Sequence, residues 1–261
     1  MDRGEVNMLQ RIYVTDGSID GIFTAIYRAW ESKYGHKNIK LIERDENETL
    51  EFFSEYIDIE PEQEISYKVA KTIKERLSNV GYKFVVKACL SKEKGRSDAV
   101  YRFLLLGFSV GASVLEQLAH PYVYPIYKMN KNVTNEVLHY MGFLRFEELK
   151  NGVLCAKICP LNNILTLLSP HFSDRFQNED WIIMDERRGI AALHKKRSDY
   201  LIVECSFFTN EAFFQCSDEE TYLQHLWKSF INSIGISERE NEKLRQQMLP
   251  KRFQEFMKEF D

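Results

Sequence analysis

The feature that most constrains this chain is a change of hydrophobic period near Gly142. Before it, apolar residues recur at helical spacing: Ile19, Ile22, Phe23, Ile26, Trp30 and Tyr34 fall on one stripe, and Val133, Val137, Leu138 and Met141 on another. After it, Phe143-Leu-Arg-Phe-Glu147 and Val153-Leu-Cys-Ala-Lys-Ile158 read as strands on either side of Lys150-Asn151-Gly152. Asn-Gly between two such runs is a strong hairpin signal. A 3.6-residue period buries one side of a helix and a two-residue period one face of a sheet, so the two halves cannot share one kind of element. The expected class is α+β, with a helical N-terminal half and a mostly antiparallel sheet in the central-to-C-terminal part, packed as one unit over 1–261. Within it, 61–141 forms a helical subregion and 142–205 a sheet subregion.

The individual elements follow from local signals. Arg11-Ile-Tyr-Val-Thr15 reads as a strand that turns at Asp16-Gly17 into a helix capped by Ser18. Helices are expected at Pro61 to Asn79, Ser97 to Leu118 and about Val133 to Met141, with breaks at Asn79-Val-Gly81 and Glu93-Lys-Gly-Arg96. A short helix from about Asn163 precedes strands at Trp181 to Met184, Ile190 to His194 and Leu201 to Glu204. The end returns to helix, from Asp218 to Ile234 and again near the terminus.

With 44% hydrophobic residues the chain can bury a large core. Its longest apolar stretch, Phe103 to Leu115, is too short for a bilayer and suits a buried helix, so no membrane association is expected. The N-terminus lacks an apolar signal core, which points to the cytoplasm. Five scattered cysteines fit reduced thiols there, and Cys155 and Cys159 lack the spacing of zinc or redox motifs. Neither a metal nor a cofactor is expected. P-loop, GxGxxG, HExxH, GxSxG and EF-hand patterns are all missing.

Charge is segregated along the chain. Leu41 to Glu64 holds ten acids against Arg44, and Lys68 to Arg102 holds ten bases against three acids. The blocks either neutralise each other across packed helices or present a basic face to a polyanion. The segment from Arg239 to Arg252 adds a further basic stretch.

The polar cluster in "LLSPHFSDRFQNEDW" is the main candidate site. Serine caps free amides and proline fits a first helical turn, so Ser169-Pro170 reads as a helix start. His171 and Arg175 would then share a face beside a positively polarised helix end, an arrangement suited to phosphate or carboxylate. Asp174 would orient Arg175 or favour the first turn. Arg175 could equally pair with an internal carboxylate such as Asp185. Arg145 and His139 could reach the same cleft, and the charges of Asp185-Glu-Arg-Arg-Gly189 are most simply solvated. His139 and His171 are the candidates for a general acid or base.

Three stretches together, "YVTDGSIDGIFTAIYRAW", "VLHYMGFLRFEELKNGVLCAKICPLNNILTLLSPHFSDRFQNEDWIIMDERRG" and "NEKLRQQMLPKRF", resemble a bacterial domain-of-unknown-function family, number 4130. That family is associated with DNA repair or DNA metabolism. Its members accompany a radical-SAM DNA-modification protein, and related domains are fused behind uracil-DNA-glycosylase-like domains. The resemblance implies that Asp16, Gly17, Ser18, Asp20 and Gly21 form an opening turn. It likewise implies that His139, Gly142, Phe143, Arg145 and Phe146 form a helix-to-strand block. Pro170, His171, Phe172, Arg175, Phe176 and Trp181 match the central signature, and Pro250 with Arg252 the terminal one. Asn241-Glu242 departs from the Asn-Pro expected there.

The expected function is therefore a DNA-repair or DNA-metabolism accessory protein that binds nucleic acid or its radical-SAM partner through Arg145, His171, Arg175 and Arg252. Asp16, Ser18, Asp20, Asp174, Trp181 and Asp185 would be structural or orienting. Two alternatives stand beside it: a hydrolase or lyase acting on a damaged nucleotide or DNA end, and a scaffold docked through the acidic block.

Overall fold

A computed structural model of the chain describes residues 9–44, 51–207, 211–236 and 241–258. The chain forms two compact units, residues 1–134 and 135–261, and the division falls inside a helix. Asp45, Glu46 and Glu48 of the acidic block, and Arg239 with Glu240 of the C-terminal basic stretch, lie outside the described residues.

Unit 1 is built on a sheet that local signals did not announce in full. Strand β1 (Gln10–Thr15) is as expected, but it is flanked by β2 (Ile39–Glu43) and β3 (Ser54–Asp58), both parallel to it, in the order β2-β1-β3. Parallel neighbours need a crossover, and α1 (Ile19–Glu31) supplies the one between β1 and β2. Its Ser18 cap is as expected: Ser18 Oγ accepts from Gly21 N at 2.9 Å, while Asp16 Oδ1 accepts from Ser18 N at 2.9 Å and Ser18 Oγ at 2.8 Å. Gly21 leaves room for that carboxylate, since a Cβ would lie 2.0 Å from Asp16 Oδ1 and displace it. Asp20 Oδ1 accepts from Ser66 Oγ at 2.5 Å and so ties α1 to the next helix. Ile22, Phe23 and Ile26 are buried in the core.

Helix α2 (Gln63–Cys89) continues past the expected break and is kinked at Ser78, whose φ is +83°. Helix α3 (Arg96–Val110) stops at Gly111, φ +75°, and a 3-10 run over Gly111–Glu116 completes the expected helical stretch. Helices α2 and α3 approach closely where Gly107 leaves room for Leu77: a Cβ on it would come within 2.9 Å of that side chain. Arg96–Glu116 is long and apolar enough to cross a membrane by length and composition alone. Val100, Tyr101, Phe103, Leu104 and Val114 of that run are buried in the unit 1 core.

Glu43 shows why β2 escaped detection. It occupies a buried alternate position in "IKLIE" (1% exposed), where an acid argues against a strand. The fold uses one of its oxygens as the cap that α3 lacks, with Arg96 Nε 3.7 Å from the same oxygen, while Oε2 is buried without a hydrogen-bond partner. Gly95 has no side chain to offer, and Glu43 Oε1 accepts from both Ser97 N, at 3.1 Å, and Ser97 Oγ.

The helix spanning the division is α4 (Tyr124–Phe143), longer than expected by about three turns. In unit 2, Phe143 to Phe146 is not strand: helix occupies Phe143, and β4 contains only Glu147–Glu148. The hairpin to β5 (Leu154–Ile158) does turn at Asn151-Gly152, with Gly152 at φ +78° and Asn151 Oδ1 accepting from Val153 N at 3.1 Å. Helix α5 (Leu165–Arg175) is followed by β6 (Trp181–Asp185), β7 (Ile190–His194) and β8 (Tyr200–Glu204). The sheet order is β4-β5-β6-β7-β8, antiparallel except for the β5–β6 pair. Helices α6 (Asp218–Ile234), α7 (Glu242–Met248) and α8 (Lys251–Gln254) follow. The class is α+β, with a helical N-terminal half and a mostly antiparallel sheet in the C-terminal part.

Candidate functional site

The central cluster lies on α5, but not at its start. The helix begins at Leu165, and Ser169 Oγ donates back to Leu165 O at 2.7 Å instead of capping free amides. Pro170 is interior, so Thr166 O loses its helical donor; the Tyr200 hydroxyl lies 3.4 Å from it as a replacement. His171, Asp174 and Arg175 therefore occupy the C-terminal part of α5. Free carbonyls, not free amides, end a helix there, which favours the Arg175 cation and offers nothing to an anion. Tertiary packing has overridden the preference of proline for a first turn, because Leu165, Leu168 and Phe172 are buried and hold the preceding turn helical.

Aromatic rings organise the surroundings. Phe146 meets Phe172, Phe176 and Trp181 at centroid distances of 5.3, 5.2 and 6.4 Å. The His171 ring is edge-on to Phe172 at 5.0 Å, and the exposed Arg175 guanidinium lies 5.5 Å from the Phe176 centroid. His139 stacks on Phe143 and meets Phe253 edge-on at 5.0 Å. His139 Nδ1 and His171 Nε2 are each shielded without a hydrogen-bond partner.

Arg145 closes the end of α4, donating through Nη1 to Gly142 O at 3.3 Å and Phe143 O at 3.2 Å. It also lines a cavity of about 420 Å³ with Phe146, Glu147, Glu220, Trp227 and Lys258, which includes none of His139, His171 and Arg175. Asp174 lines a different, polar cavity of about 470 Å³ with Ser173, Gln177, His194 and Arg197. Trp181 is buried, stacked on His194 at 4.9 Å.

Asp185 is buried, not solvated, and its partner is Arg188. It accepts from Arg187 N, Arg188 N and Arg188 Nη1 at 3.1, 3.2 and 3.0 Å. Burial pushes its carboxyl above the ordinary value, and the Arg188 charge opposes that rise. Arg188 also donates to Pro160 O and Leu161 O, at 3.1 and 2.8 Å. From the other side Glu136, 1% exposed, accepts from Leu161 N, Asn162 N and Asn162 Nδ2 at 3.0, 2.8 and 2.6 Å. Arg252 Nη2 approaches Glu136 Oε1 at 3.7 Å. Arg252 is thus bound to an internal carboxylate, and the segment Pro160–Asn162 is clamped between two charged side chains.

Sequence reasoning missed Glu136 and His194. An acid between Val133 and Val137 on an apolar helical stripe was the available signal for Glu136. His194 Nδ1 donates to Glu179 O, 3.0 Å away, and the ring lines two cavities. It had no local signature.

Unit 1 offers a site of another kind. A groove of about 530 Å³ between α1, α2 and α3 is walled by Tyr27, Trp30 and Phe108 and edged by Lys68, Thr72 and Arg76. Trp30 and Phe108 meet at 5.4 Å. Lys68 and Arg76 are exposed and have no ion pair among the described residues. The acids that were expected to neutralise α2 pair elsewhere: Glu55 with Arg11, Glu62 with Arg28, Glu60 with Arg44, Glu51 with Lys40.

No protein of curated function matches the chain. A family profile described as a domain of unknown function, DUF4130, matches residues 94–259, from the start of α3 past the end of α8. It takes in the central and terminal stretches on which the resemblance was read, and it begins after Tyr13–Trp30. On that match over most of its length, the chain belongs to the domain-of-unknown-function family DUF4130.

Proposed function

We propose that the protein is a cytoplasmic accessory factor of DNA repair or DNA metabolism that binds nucleic acid, working beside a radical-SAM DNA-modification enzyme. The observation that carries this reading is the uncompensated basic side of α2. Lys68 and Arg76, which border one groove ahead of the kink at Ser78, are exposed without an ion pair among the described residues, although a block of acids adjoins them in sequence. A positive strip of this kind attracts phosphates by releasing their counterions. The polar residues of α5 are not the principal contact in this reading, since Arg175 sits at the wrong helix end to gain help from backbone amides. Fluorescence-anisotropy titration against single-stranded, duplex and uracil-containing DNA at two salt concentrations tests it. Affinity that falls steeply with salt is expected. Absence of binding to all three at low salt overturns it.

A second reading, docking of a protein partner, is favoured by α6. That helix has no buried residue, and Leu223, Leu226, Trp227, Phe230 and Ile234 form an exposed apolar stripe along it. Under this reading Leu226→Asp with Phe230→Asp abolishes co-purification of the radical-SAM protein, while retention of the complex removes the idea.

A further inference from the structure

The groove on unit 1 combines three properties that rarely coincide on a surface that serves only to be wetted. Its walls are aromatic, with Trp30 38% exposed despite its size. Its rim carries cations with no partner among the described residues. Its single acid, Glu31, is already neutralised by Arg28 Nη1 at 2.9 Å. Lys68, Thr72 and Arg76 are spaced four apart, so all three face the same way, and Lys68 and Arg76 stand about 12 Å from each other along the axis. A stacked strand carries about three to four phosphates over that length.

We infer that this groove is a binding subsite for single-stranded nucleic acid, in which a base stacks against Trp30 and the backbone runs along Lys68 and Arg76. The inference rests on the nucleic-acid reading above and says where and in what form the strand is held. Stacking is tolerant of base identity because every base has a π face, and the flanking cations hold the backbone beside it. Duplex DNA hides its base faces and cannot use Trp30. An acidic peptide could satisfy the cations but would leave three aromatic walls without flat partners. Of the residues that line the groove, only Phe108 falls within the segment matched by the family profile, so family membership supplies no argument for this site.

The test is a titration of the full chain with oligothymidylate, following both labelled-strand anisotropy and tryptophan emission, for the wild type, Trp30→Phe, Trp30→Ala and Lys68→Ala/Arg76→Ala. The strand is expected to quench Trp30. Trp30→Ala weakens binding about ten- to a hundredfold and Trp30→Phe much less. The double variant flattens the log–log salt slope by about 0.7 for each phosphate that is no longer neutralised. The groove assignment is overturned if the strand binds all variants as it binds wild type, a result that leaves the proposed function standing. Equal affinity for thymidine monophosphate and the oligonucleotide overturns the strand as occupant. If no DNA binds even at low salt, the nucleic-acid reading itself fails and this inference with it.

Discussion

Helices α1 and α6 are written in the same way and end in opposite environments. Each opens on a serine whose hydroxyl accepts from the amide three residues on, Ser18 from Gly21 N at 2.9 Å and Ser217 from Glu220 N at 3.0 Å. Each has at least one acid in its first turn, Asp20 in α1 and Asp218, Glu219 and Glu220 in α6, and an apolar stripe at helical spacing. Yet Phe23 of α1 is 0% exposed and Phe230 of α6 is 52% exposed. Caps and periodicity specify that a helix forms and which side is apolar. They do not specify whether anything covers that side. Helix α1 is sealed because it is a crossover between parallel strands and must lie against them. Helix α6 is held near its N-terminus, where Glu220 Oε2 accepts from Glu148 N at 3.3 Å, and its stripe is left open.

The largest effect expected from this contrast is in the apolar stripes. Phe23→Ala should lower unfolding stability by about 3–5 kcal/mol, through reduced burial plus the cavity left behind. Phe230→Ala should stay within about 0.5 kcal/mol, as for other exposed sites. Urea denaturation of both variants decides it, and equal losses would mean that α6 is covered in solution.

Arg188→Ala checks that unit 2 is itself firmly built, so that the openness of α6 is not general looseness. It removes the partner of a fully buried carboxylate and the hydrogen bonds to Pro160 O and Leu161 O. A loss of about 2–3 kcal/mol at neutral pH is expected, since Arg188 is itself partly exposed. The pH dependence has a definite sign. The folded Asp185 carboxyl is raised above its ordinary value, so its contribution to stability is greatest below that value and is lost as pH rises through the folded one. Removing Arg188 raises it further, so the penalty should shrink as pH falls and Asp185 takes a proton. A penalty independent of pH would place the effect in the missing hydrogen bonds to the Pro160 and Leu161 carbonyls.

The smallest effect compares the caps. Ser18→Ala and Ser217→Ala should each cost about 1 kcal/mol of helix stability. Only the first should appear in global unfolding, because α1 is part of a core. Hydrogen exchange of the first turn should report the second as local fraying.

The main lines of the fold were legible. The period change, the Asn151-Gly152 turn and the Ser18 cap all rest on interactions within a few residues, and all are found in place. Strand β2 and the length of α2 were not, because Glu43 and Ser78 each break a local rule that a distant partner or a kink repairs. The α5 cluster shows the same limit in the candidate site. "SPHF" satisfies the local grammar of a helix start, and burial of Leu165 and Leu168 extends the helix backward through it. Glu136 and Arg252, more than a hundred residues apart, meet only by folding.

The sequence alone settled that a helical half precedes a mostly antiparallel sheet, where the Ser18 cap and the Asn151-Gly152 turn fall, and the family to which the chain belongs, because periodicity, capping and motif identity are local properties of the chain. Tertiary structure alone decided which buried charges find partners, which apolar stripes stay open, and that Trp30, Phe108, Lys68 and Arg76 share one groove. Those outcomes depend on meetings between residues far apart in sequence, where no local spacing records who the neighbour will be.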